Sequence, residues 1–245
     1  MKVVFFGATR GMGRALARLM AERGDALFLL GRDALDLSRS AKDLELRGAP
    51  VEVGMAACDL LEPAGFESAL AHAQEALGGF DTVVVTAGLF ASQDALEADS
   101  ELCESLLAAD FTNTILFCEA ARRQLLANGG GKLCVFSSVA GERGRKPVVL
   151  YGAAKAGLSH YLEGLDHKFR AQGLVTVTVK PGFVKTGMTE GLTPPPFAGE
   201  PEAVALRVLR ALDRGRPVVY APAIWALVML AIRGLPRFAM RRIGF

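Results

Sequence analysis

The chain has 245 residues, 51% of them hydrophobic, which is enough for one sizeable core and gives no sign of a second domain. A formal net charge of +2 argues against a protein that binds nucleic acid through its overall charge. Cys58, Cys103, Cys118 and Cys134 form no C-x-x-C pair, and no His/Cys cluster has metal-ligand spacing, so we expect core thiols and no metal. We also expect a cytoplasmic protein, because the N-terminus has no apolar region with a cleavage site.

The first element is an apolar run at residues 3–6, which predicts a buried strand that leads into a glycine-rich turn and a helix to about residue 23. Glycines permit a tight turn, and a helix N-terminus offers free N–H groups to a pyrophosphate. The candidate residues for this phosphate cradle are Gly7, Thr9, Arg10, Gly11, Met12 and Gly13. The spacing is G-x-x-x-G-x-G, so an ordinary strand-to-helix turn is the alternative.

A second strand at residues 26–30 ends in Gly31-Arg32-Asp33. Proteins that prefer NAD usually place an acid near this point to hold the ribose 2′-hydroxyl. Here an arginine follows the glycine, and Arg10 in the first turn is a second cation. Two guanidinium groups suit a dianionic 2′-phosphate, so this pattern favours NADP(H) over NAD(H). Solvated surface arginines are the alternative.

The next elements repeat the alternation of helix and strand. Helices are predicted at residues 34–47, 63–77 and 100–127, and strands at 51–56 and 80–85. Asp59 and Leu60 follow one strand, where the carboxylate could accept a bond from an adenine amino group or cap the next helix. Ala87 and Gly88 follow the other strand and are small enough to let a flat ring approach. Asp110 and Asn113 lie one turn apart in the third helix.

The second half places a hydroxyl, a phenol and an ammonium near one another. A strand at residues 132–136 leads to Ser138, and Tyr151 and Lys155 lie on one face of a following helix, about 6 Å apart along its axis. Further elements are a strand at 174–179, a helix at 201–213 and a strand at 217–220. The loop after the sixth strand contributes Pro181, Gly182, Val184 and Thr186. Alternating strands and helices predict one doubly wound α/β domain over residues 1–220, with a parallel sheet and helices on both faces.

These motifs occur together, in order and at matching intervals, as they do in a known family. Gly7-x-x-x-Gly11-x-Gly13, Asp59-Leu60, Ala87-Gly88, Ser138, Tyr151-x-x-x-Lys155 and Pro181-Gly182-x-Val184-x-Thr186 make the chain resemble the short-chain dehydrogenase/reductases. The resemblance covers roughly residues 1–220. It implies a seven-stranded Rossmann sheet, a nicotinamide cofactor bound by these motifs together with Tyr151 and Lys155, and a homodimer or homotetramer.

The resemblance also implies catalytic roles. Tyr151 would be the general acid/base, Ser138 would hydrogen-bond the carbonyl oxygen, and Lys155 would bind the nicotinamide ribose and lower the pKa of the tyrosine. A cation about 5 Å from the phenol, at an effective dielectric constant of about 20, favours the phenolate by roughly 3 kcal/mol, or about two pKa units.

Three positions depart from the family pattern. Phe6 replaces a threonine, Thr86 replaces an asparagine, and Asp110 stands where the family has its catalytic asparagine. An aspartate could hold a water molecule but cannot donate as an amide does, and it adds charge near Lys155. Asn113, one turn away, is the alternative member of a proton relay.

The C-terminal extension, residues 221–245, has an unusual composition. From residue 214 onward there are six arginines and no acidic residue, and residues 223–232 are apolar on every face. Ten apolar residues are too few to span a bilayer. The segment is therefore expected to be a subunit contact, a lid over the substrate, or a helix in the membrane interface at the inner face of the membrane. The cationic loop at residues 142–146 could meet a phosphate or could be solvated surface.

The segments 137–155 and 220–242 are also similar to those of the decaprenylphosphoryl-2-keto-ribose reductases, a subgroup that reduces a ketone on a lipid-linked sugar. This similarity implies a hydrophobic or lipid-linked ketone as substrate. Reduction of keto-lipids, steroids or 3-ketoacyl groups is the alternative activity. A non-catalytic NADP-binding regulatory protein is the alternative from another class.

Overall fold

The computed structural model describes residues 1–244, which form a seven-stranded parallel sheet in the order β3-β2-β1-β4-β5-β6-β7. The strands are β1 (Lys2–Phe6), β2 (Ala26–Gly31), β3 (Gly54–Ala57), β4 (Thr82–Val85), β5 (Gly131–Phe136), β6 (Leu174–Pro181) and β7 (Val218–Ala221). The α-helices are α1 (Gly11–Glu22), α2 (Ala34–Leu46), α3 (Phe66–Leu77), α4 (Gln93–Ala98), α5 (Ser100–Leu107), α6 (Asn113–Ala127), α7 (Val149–Phe169), α8 (Pro201–Asp213), α9 (Ile224–Gly234) and α10 (Arg237–Arg242). The predicted doubly wound α/β fold is confirmed.

The sheet is buried on both faces, which explains why its central strands are continuous apolar runs. In β1, Val3 and Phe5 point into the layer formed with α1, α2 and α8, whereas Val4 and Phe6 point into the layer formed with α3, α6 and α7. The strand order reverses between β1 and β4, because the chain builds β2 and β3 on one side of β1 and then crosses to the other. A crevice opens beyond the carboxyl ends of strands at such a reversal.

The third strand is shorter than the sequence predicts. Residues 51–53 lie outside β3, and the N–H of Val53 donates to Glu45 Oε1 at 2.9 Å. This edge strand pairs only with β2, beginning at Gly54 opposite Phe28. A Cβ at residue 54 would lie 2.5 Å from Cδ2 of Phe28, so glycine lets the edge strand approach this ring closely. An apolar run in the sequence does not show where a side chain, instead of a neighbouring strand, accepts a backbone hydrogen bond.

The helix predicted over residues 100–127 is interrupted. A π-helical turn, Ala108–Thr112, separates α5 from α6, and the short helix α4 precedes them. Asp110 lies within this turn. Such turns insert one extra residue into a helix and are frequent at functional sites, and apolar periodicity does not indicate them.

The C-terminal extension folds back onto the domain as two helices. The inward face of α9 carries Trp225, Met229 and Ile232, which pack with Val139 beside the end of β5. The outward face of α9 remains exposed, with Leu227 and Leu230 among its side chains. The choice between a subunit contact, a lid and a helix in the membrane interface stays a prediction. Within residues 1–244, no helix is both long enough and apolar enough to cross a membrane.

The loop at residues 142–146 holds this extension in place. Arg143 Nη2 donates to the carbonyl oxygen of Leu235 at 2.8 Å, and Lys146 Nζ donates to that of Arg241 at 2.7 Å. The buried carboxylate of Glu142 pairs with Lys180. Two of the three cations considered for a phosphate therefore bind carbonyl groups of the extension.

Candidate active site

The turn between β1 and α1 has a backbone shape that requires glycine. Gly7 has φ +99° and Gly11 has φ +51°, both in the left-handed region. A Cβ on Gly13 would lie 2.1 Å from the carbonyl oxygen of Gly7. Among the described residues no side chain caps α1, so its first-turn N–H groups face the turn. The cradle fits the pyrophosphate of a dinucleotide.

Thr86 supports this turn from the end of β4. Its hydroxyl donates to the carbonyl oxygen of Gly7 at 2.8 Å. A threonine in place of the family's asparagine therefore still ties the strand end to the glycine turn. Phe6, the other departure beside the turn, is buried and packs against Phe117 with ring centroids 4.9 Å apart.

A cleft of about 560 Å³ opens above the strand reversal. Of the residues predicted to bind a cofactor, those that line it are Gly7, Thr9, Arg10, Gly11, Met12, Gly13, Arg32, Asp59, Leu60, Ala87, Gly88 and Thr186. The residues that the sequence did not single out for binding are Phe6, Gly31, Cys58, Leu61, Thr86, Leu89, Phe90, Ala109, Gly187, Met188 and Glu190. Most of the second group adjoin a predicted residue, so extending each motif by one or two positions would have found them.

Three predicted residues at the end of β6 and in the loop that follows do not line the cleft. Gly182 faces Trp225, and a Cβ at residue 182 would lie 2.1 Å from the indole Nε1. Val184 is buried in the core and forms an isolated parallel bridge with Gly199. Pro181 is the last residue of β6. These residues shape the loop that carries Thr186 to the cleft.

Arg10 and Arg32, the two arginines predicted to select the cofactor, are close in the chain or in space to the acidic residues Asp33 and Asp36. Arg10 Nη2 pairs with Asp36 Oδ2 at 2.7 Å. Asp33, the acid that follows β2, accepts from the N–H of Asp36 at 2.8 Å and so caps α2. Asp33 and Asp36 do not line the cleft, whereas Arg10 and Arg32 do.

Asn113, at the start of α6, hydrogen-bonds the loop that follows β3. The Asn113 amide Nδ2 donates to the carbonyl oxygen of Leu60 at 2.7 Å, and Asp59 Oδ1 accepts from the N–H of Leu61 at 3.0 Å. Asn113 is thus bound to the wall of the cleft. This placement does not favour the alternative in which Asn113 serves the proton relay.

The candidate catalytic residues lie together at the edge of the cleft. Ser138 follows β5, and its Oγ accepts from the N–H of Ala140 at 3.0 Å. Tyr151 and Lys155 lie on α7, with Lys155 Nζ 5.6 Å from the centroid of the Tyr151 ring. Phe90, which lines the cleft, packs edge-on against Tyr151 with ring centroids 5.2 Å apart. The two α7 side chains therefore border the cleft without lining it.

Asp110 joins this group from the π-helical turn. The side chain is fully buried, and Oδ1 accepts from the N–H of Leu89 at 2.7 Å. Oδ2 lies 3.2 Å from Nζ of Lys155, whose side chain is 6% exposed. One carboxylate thus connects the loop after β4 to the helix that carries Tyr151. The sequence placed Asp110 near Lys155, but only the structure shows the bond to Leu89.

Burial and these charges set the protonation of the site. The pKa of Tyr151 lies above its ordinary value because burial disfavours the phenolate and Asp110 adds to this, while Lys155 and Ser138 oppose it. Burial lowers the pKa of Lys155, but Asp110 and Tyr151 outweigh it and leave that pKa raised. Burial also raises the pKa of Asp110. The pKa of Tyr151 is therefore not lowered as the Lys155 charge alone predicts.

Cys58 lines the cleft next to Asp59. All four cysteines are free thiols, and burial raises the pKa of Cys58 to about 12. Within residues 1–244, no group of three or more His, Cys, Asp or Glu side chains is arranged to hold a metal ion.

Comparison with known proteins agrees with this geometry. The short chain dehydrogenase family model matches residues 1–196. An uncharacterized oxidoreductase of Mycobacterium tuberculosis is 35% identical over 242 residues, covering 98% of this chain and 96% of the relative. Carbonyl reductase family member 4 of Xenopus tropicalis is 30% identical over 217 residues, covering 85% and 89% of the two chains.

A solved short-chain type dehydrogenase/reductase from Mycobacterium ulcerans has the same fold, with a TM-score of 0.79 at 21% identity over 89% of this chain and 86% of that one. The family match, the relatives and the shared fold agree with the resemblance that the ordered motifs indicate. The chain belongs to the short-chain dehydrogenase/reductase family of NAD(P)(H)-binding oxidoreductases.

Proposed function

We propose that this protein is an NADPH-dependent reductase that converts a ketone to an alcohol on a hydrophobic or lipid-linked substrate. The observation that carries the proposal is the convergence of Ser138, Tyr151 and Lys155 at the edge of a cleft with a glycine cradle. A hydroxyl, a phenol and an ammonium in that position suit proton transfer to a carbonyl oxygen.

In this proposal the cofactor, when bound, supplies a hydride to the carbonyl carbon. Tyr151 gives its phenolic proton to the carbonyl oxygen, so the carbonyl gains one hydride at carbon and one proton at oxygen. Ser138 Oγ already accepts from the N–H of Ala140, which leaves the hydroxyl proton free to donate to the same oxygen. Lys155 stabilises the tyrosinate that remains, and Asp110 holds the ammonium in place.

A preference for NADPH is supported by the charges near the ends of β1 and β2. Arg10 and Arg32 line the cleft. Asp33 would be the natural partner of a ribose hydroxyl, but it is engaged as the cap of α2. Two guanidinium groups beside the cleft match a dianionic 2′-phosphate.

A hydrophobic substrate is supported by the loop after β6, part of which lines the cleft. Met188 lines the cleft, and Leu192 and Phe197 follow in the same loop with large exposed apolar side chains. Such exposure beside a cleft is typical of a surface that binds an apolar molecule. That the ketone is lipid-linked rests on the resemblance predicted from the sequence, between residues 137–155 and 220–242 and the decaprenylphosphoryl-2-keto-ribose reductases.

The test is NADPH oxidation by the full chain with prenyl-linked sugar ketones, keto-lipids, steroids and 3-ketoacyl thioesters. We expect turnover with at least one apolar ketone. Tyr151→Phe should reduce kcat at least a hundredfold while NADPH binding, measured by fluorescence titration, stays within about threefold. Full activity in Tyr151→Phe would refute the assigned role.

The second candidate is a cofactor-binding regulatory protein without catalytic activity. Asp110 favours it, because the family has its catalytic asparagine at this position. NADPH binding without turnover of any ketone in the panel would support this candidate and contradict the first.

A further inference from the structure

Two helices of the C-terminal extension each have one face fixed against the domain. On α9 this face is Trp225, Met229 and Ile232, and on α10 it includes Met240, which packs on the same cluster. Because these inward faces share one cluster, the opposite faces of both helices point away from the domain.

The outward faces carry large apolar side chains. Leu227 is 65% exposed and Leu230 is 68% exposed, and their spacing of three residues places them on the same side of α9. Phe238 is 64% exposed and lies two positions from Met240, about 200° around α10. Single exposed apolar residues are ordinary on a protein surface, but three within twelve positions form a feature that needs a partner.

Positive charge surrounds these side chains. Arg241 and Arg242 follow Phe238 by three and four residues, so all three share one side of α10. Arg237 begins this helix, and Arg233 ends α9, where it meets Glu142 at 3.3 Å. The sequence has no acidic residue after Asp213. The surface thus combines an apolar centre with arginines, and the acidic side chain next to it, Glu142, is buried and paired with Lys180 and Arg233.

This charge distribution favours an anionic partner over a second copy of the chain. A symmetric contact with a second copy would bring the same arginines of both chains together, which repel one another. A bilayer with anionic headgroups meets both requirements, since it accepts apolar side chains and attracts arginines. The eleven residues of α9 are about 16 Å long, roughly half the hydrocarbon thickness, so the helix can lie in the interface and cannot cross it.

We propose that the outward faces of α9 and α10, with Leu227, Leu230, Phe238, Arg241 and Arg242, form a docking surface for anionic lipid bilayers. The surface lies close to the candidate active site, because Val139 in the supporting cluster directly follows Ser138. Docking would therefore bring the active site to the membrane surface. Its use to collect a lipid-linked ketone rests on the proposed function, whereas the docking itself does not.

The experiment is co-sedimentation of the full chain, without substrate, with vesicles of phosphatidylcholine alone or with about 30% phosphatidylglycerol. We expect binding to the anionic vesicles, at least tenfold weaker binding to the neutral ones, and loss of most binding in 0.5 M NaCl. Leu227→Ser/Leu230→Ser and Arg241→Gln/Arg242→Gln should each weaken binding about tenfold or more.

Matched controls come from α2, on another part of the surface. Leu46 is 91% exposed and Arg39 is also exposed, so Leu46→Ser and Arg39→Gln remove the same groups from a site without this combination. Both should bind vesicles like the unaltered chain. Circular dichroism and NADPH titration of every variant verify that the fold is retained.

Two results would overturn the proposal. One is equal vesicle binding by the unaltered chain and the α9 and α10 variants, or none by any of them. The other combines two observations: the unaltered chain does not bind vesicles, and light scattering shows a dimer that Leu227→Ser/Leu230→Ser converts to a monomer. The partner of this surface would then be a second copy of the chain. Activity on soluble ketones is measured without vesicles, so failure of docking and failure of the proposed reductase are separable.

Discussion

Asp110 is the residue that most distinguishes this site from the family pattern. Its carboxylate accepts from the N–H of Leu89 and forms a buried ion pair with Lys155. An asparagine could make the first contact but would leave the ammonium without a counter-charge. The family role of Lys155, which is to stabilise the tyrosinate, is thus opposed here by a negative charge. Burial, with Asp110 adding to it, raises the pKa of Tyr151 and so favours the protonated phenol, the form that the proposed ketone reduction needs.

The first prediction concerns Asp110→Asn. Asparagine keeps the acceptor for Leu89 but removes the negative charge, so the pKa of Tyr151 should fall. The charge of Asp110 is one of the causes that raise this pKa, and the positive charge of Lys155, which lowers it, remains in the variant. Alcohol oxidation needs the tyrosinate, so kcat/KM for oxidation should begin to rise at a lower pH in the variant. Ketone reduction needs the protonated phenol, so kcat/KM for reduction should begin to fall at a lower pH as well.

The measurement for Asp110→Asn is kcat/KM against pH in both directions. Asp94→Asn removes an exposed carboxylate from α4 and should leave both profiles in place. A shift of less than about half a unit, or one to higher pH, would show that Asp110 does not control the ionisation of Tyr151.

The second prediction concerns Arg32, which lines the cleft beyond β2. Arg32→Ala should raise the dissociation constant of NADPH about tenfold, since a charge-assisted contact to a phosphate contributes roughly 1.5–3 kcal/mol. NADH lacks that phosphate, so its binding should change less than about threefold. Fluorescence titration measures both constants, with Arg39→Ala on α2 as the control. Equal weakening of NADPH and NADH would contradict the role of Arg32 in selecting the cofactor.

At the scale of elements, the loop after β6 and helix α9 depend on each other. Gly182 leaves the space that the Trp225 indole occupies, and Trp225 Nε1 donates to the carbonyl oxygen of Phe197 at 3.3 Å. Gly182, which the sequence analysis associates with cofactor binding, therefore provides the space in which the C-terminal extension packs.

The third prediction follows from this packing. Gly182→Ala places a methyl group where the indole lies, so Trp225 must move. The backbone amides of α9 should then be less protected from hydrogen exchange. Hydrogen exchange over residues 224–234 should be at least tenfold faster, while β1 and β4 stay protected. Gly187→Ala, whose Cβ would meet nothing within 4 Å, is the matched control. Unchanged exchange in Gly182→Ala would show that this contact does not hold the helix.

Most elements could be predicted because local patterns determine them. Apolar runs marked the strands, and the glycine spacing marked the turn whose positive φ angles only glycine adopts easily. The π-helical turn at Asp110 was not predictable, because it changes the helix by one residue and leaves the apolar pattern intact. The face of α9 that packs against the domain was not predictable either. Every residue from 223 to 232 is apolar, so only the tertiary packing decides which side is buried.

At the scale of the whole molecule, the sheet order brings separate motifs together. Strands β1 and β4 are neighbours although about eighty residues separate them, so the glycine turn and Ala87-Gly88 face one cleft. Contacts of this kind depend on crossover topology, which the alternation of elements and the resemblance to the family predicted correctly. Ion pairs such as Asp110–Lys155 depend on distances of a few ångströms, which the topology alone does not determine.

The most direct test of the central claim follows the transferred hydrogen. The full chain is incubated with a ketone from the panel and NADPH carrying two deuterium atoms at C4 of the nicotinamide, and the product is examined by mass spectrometry. We predict an alcohol with one deuterium on the carbinol carbon, formed by the unaltered chain and at least a hundredfold more slowly by Tyr151→Phe. An alcohol without deuterium, or equal rates for the two proteins, would contradict the account.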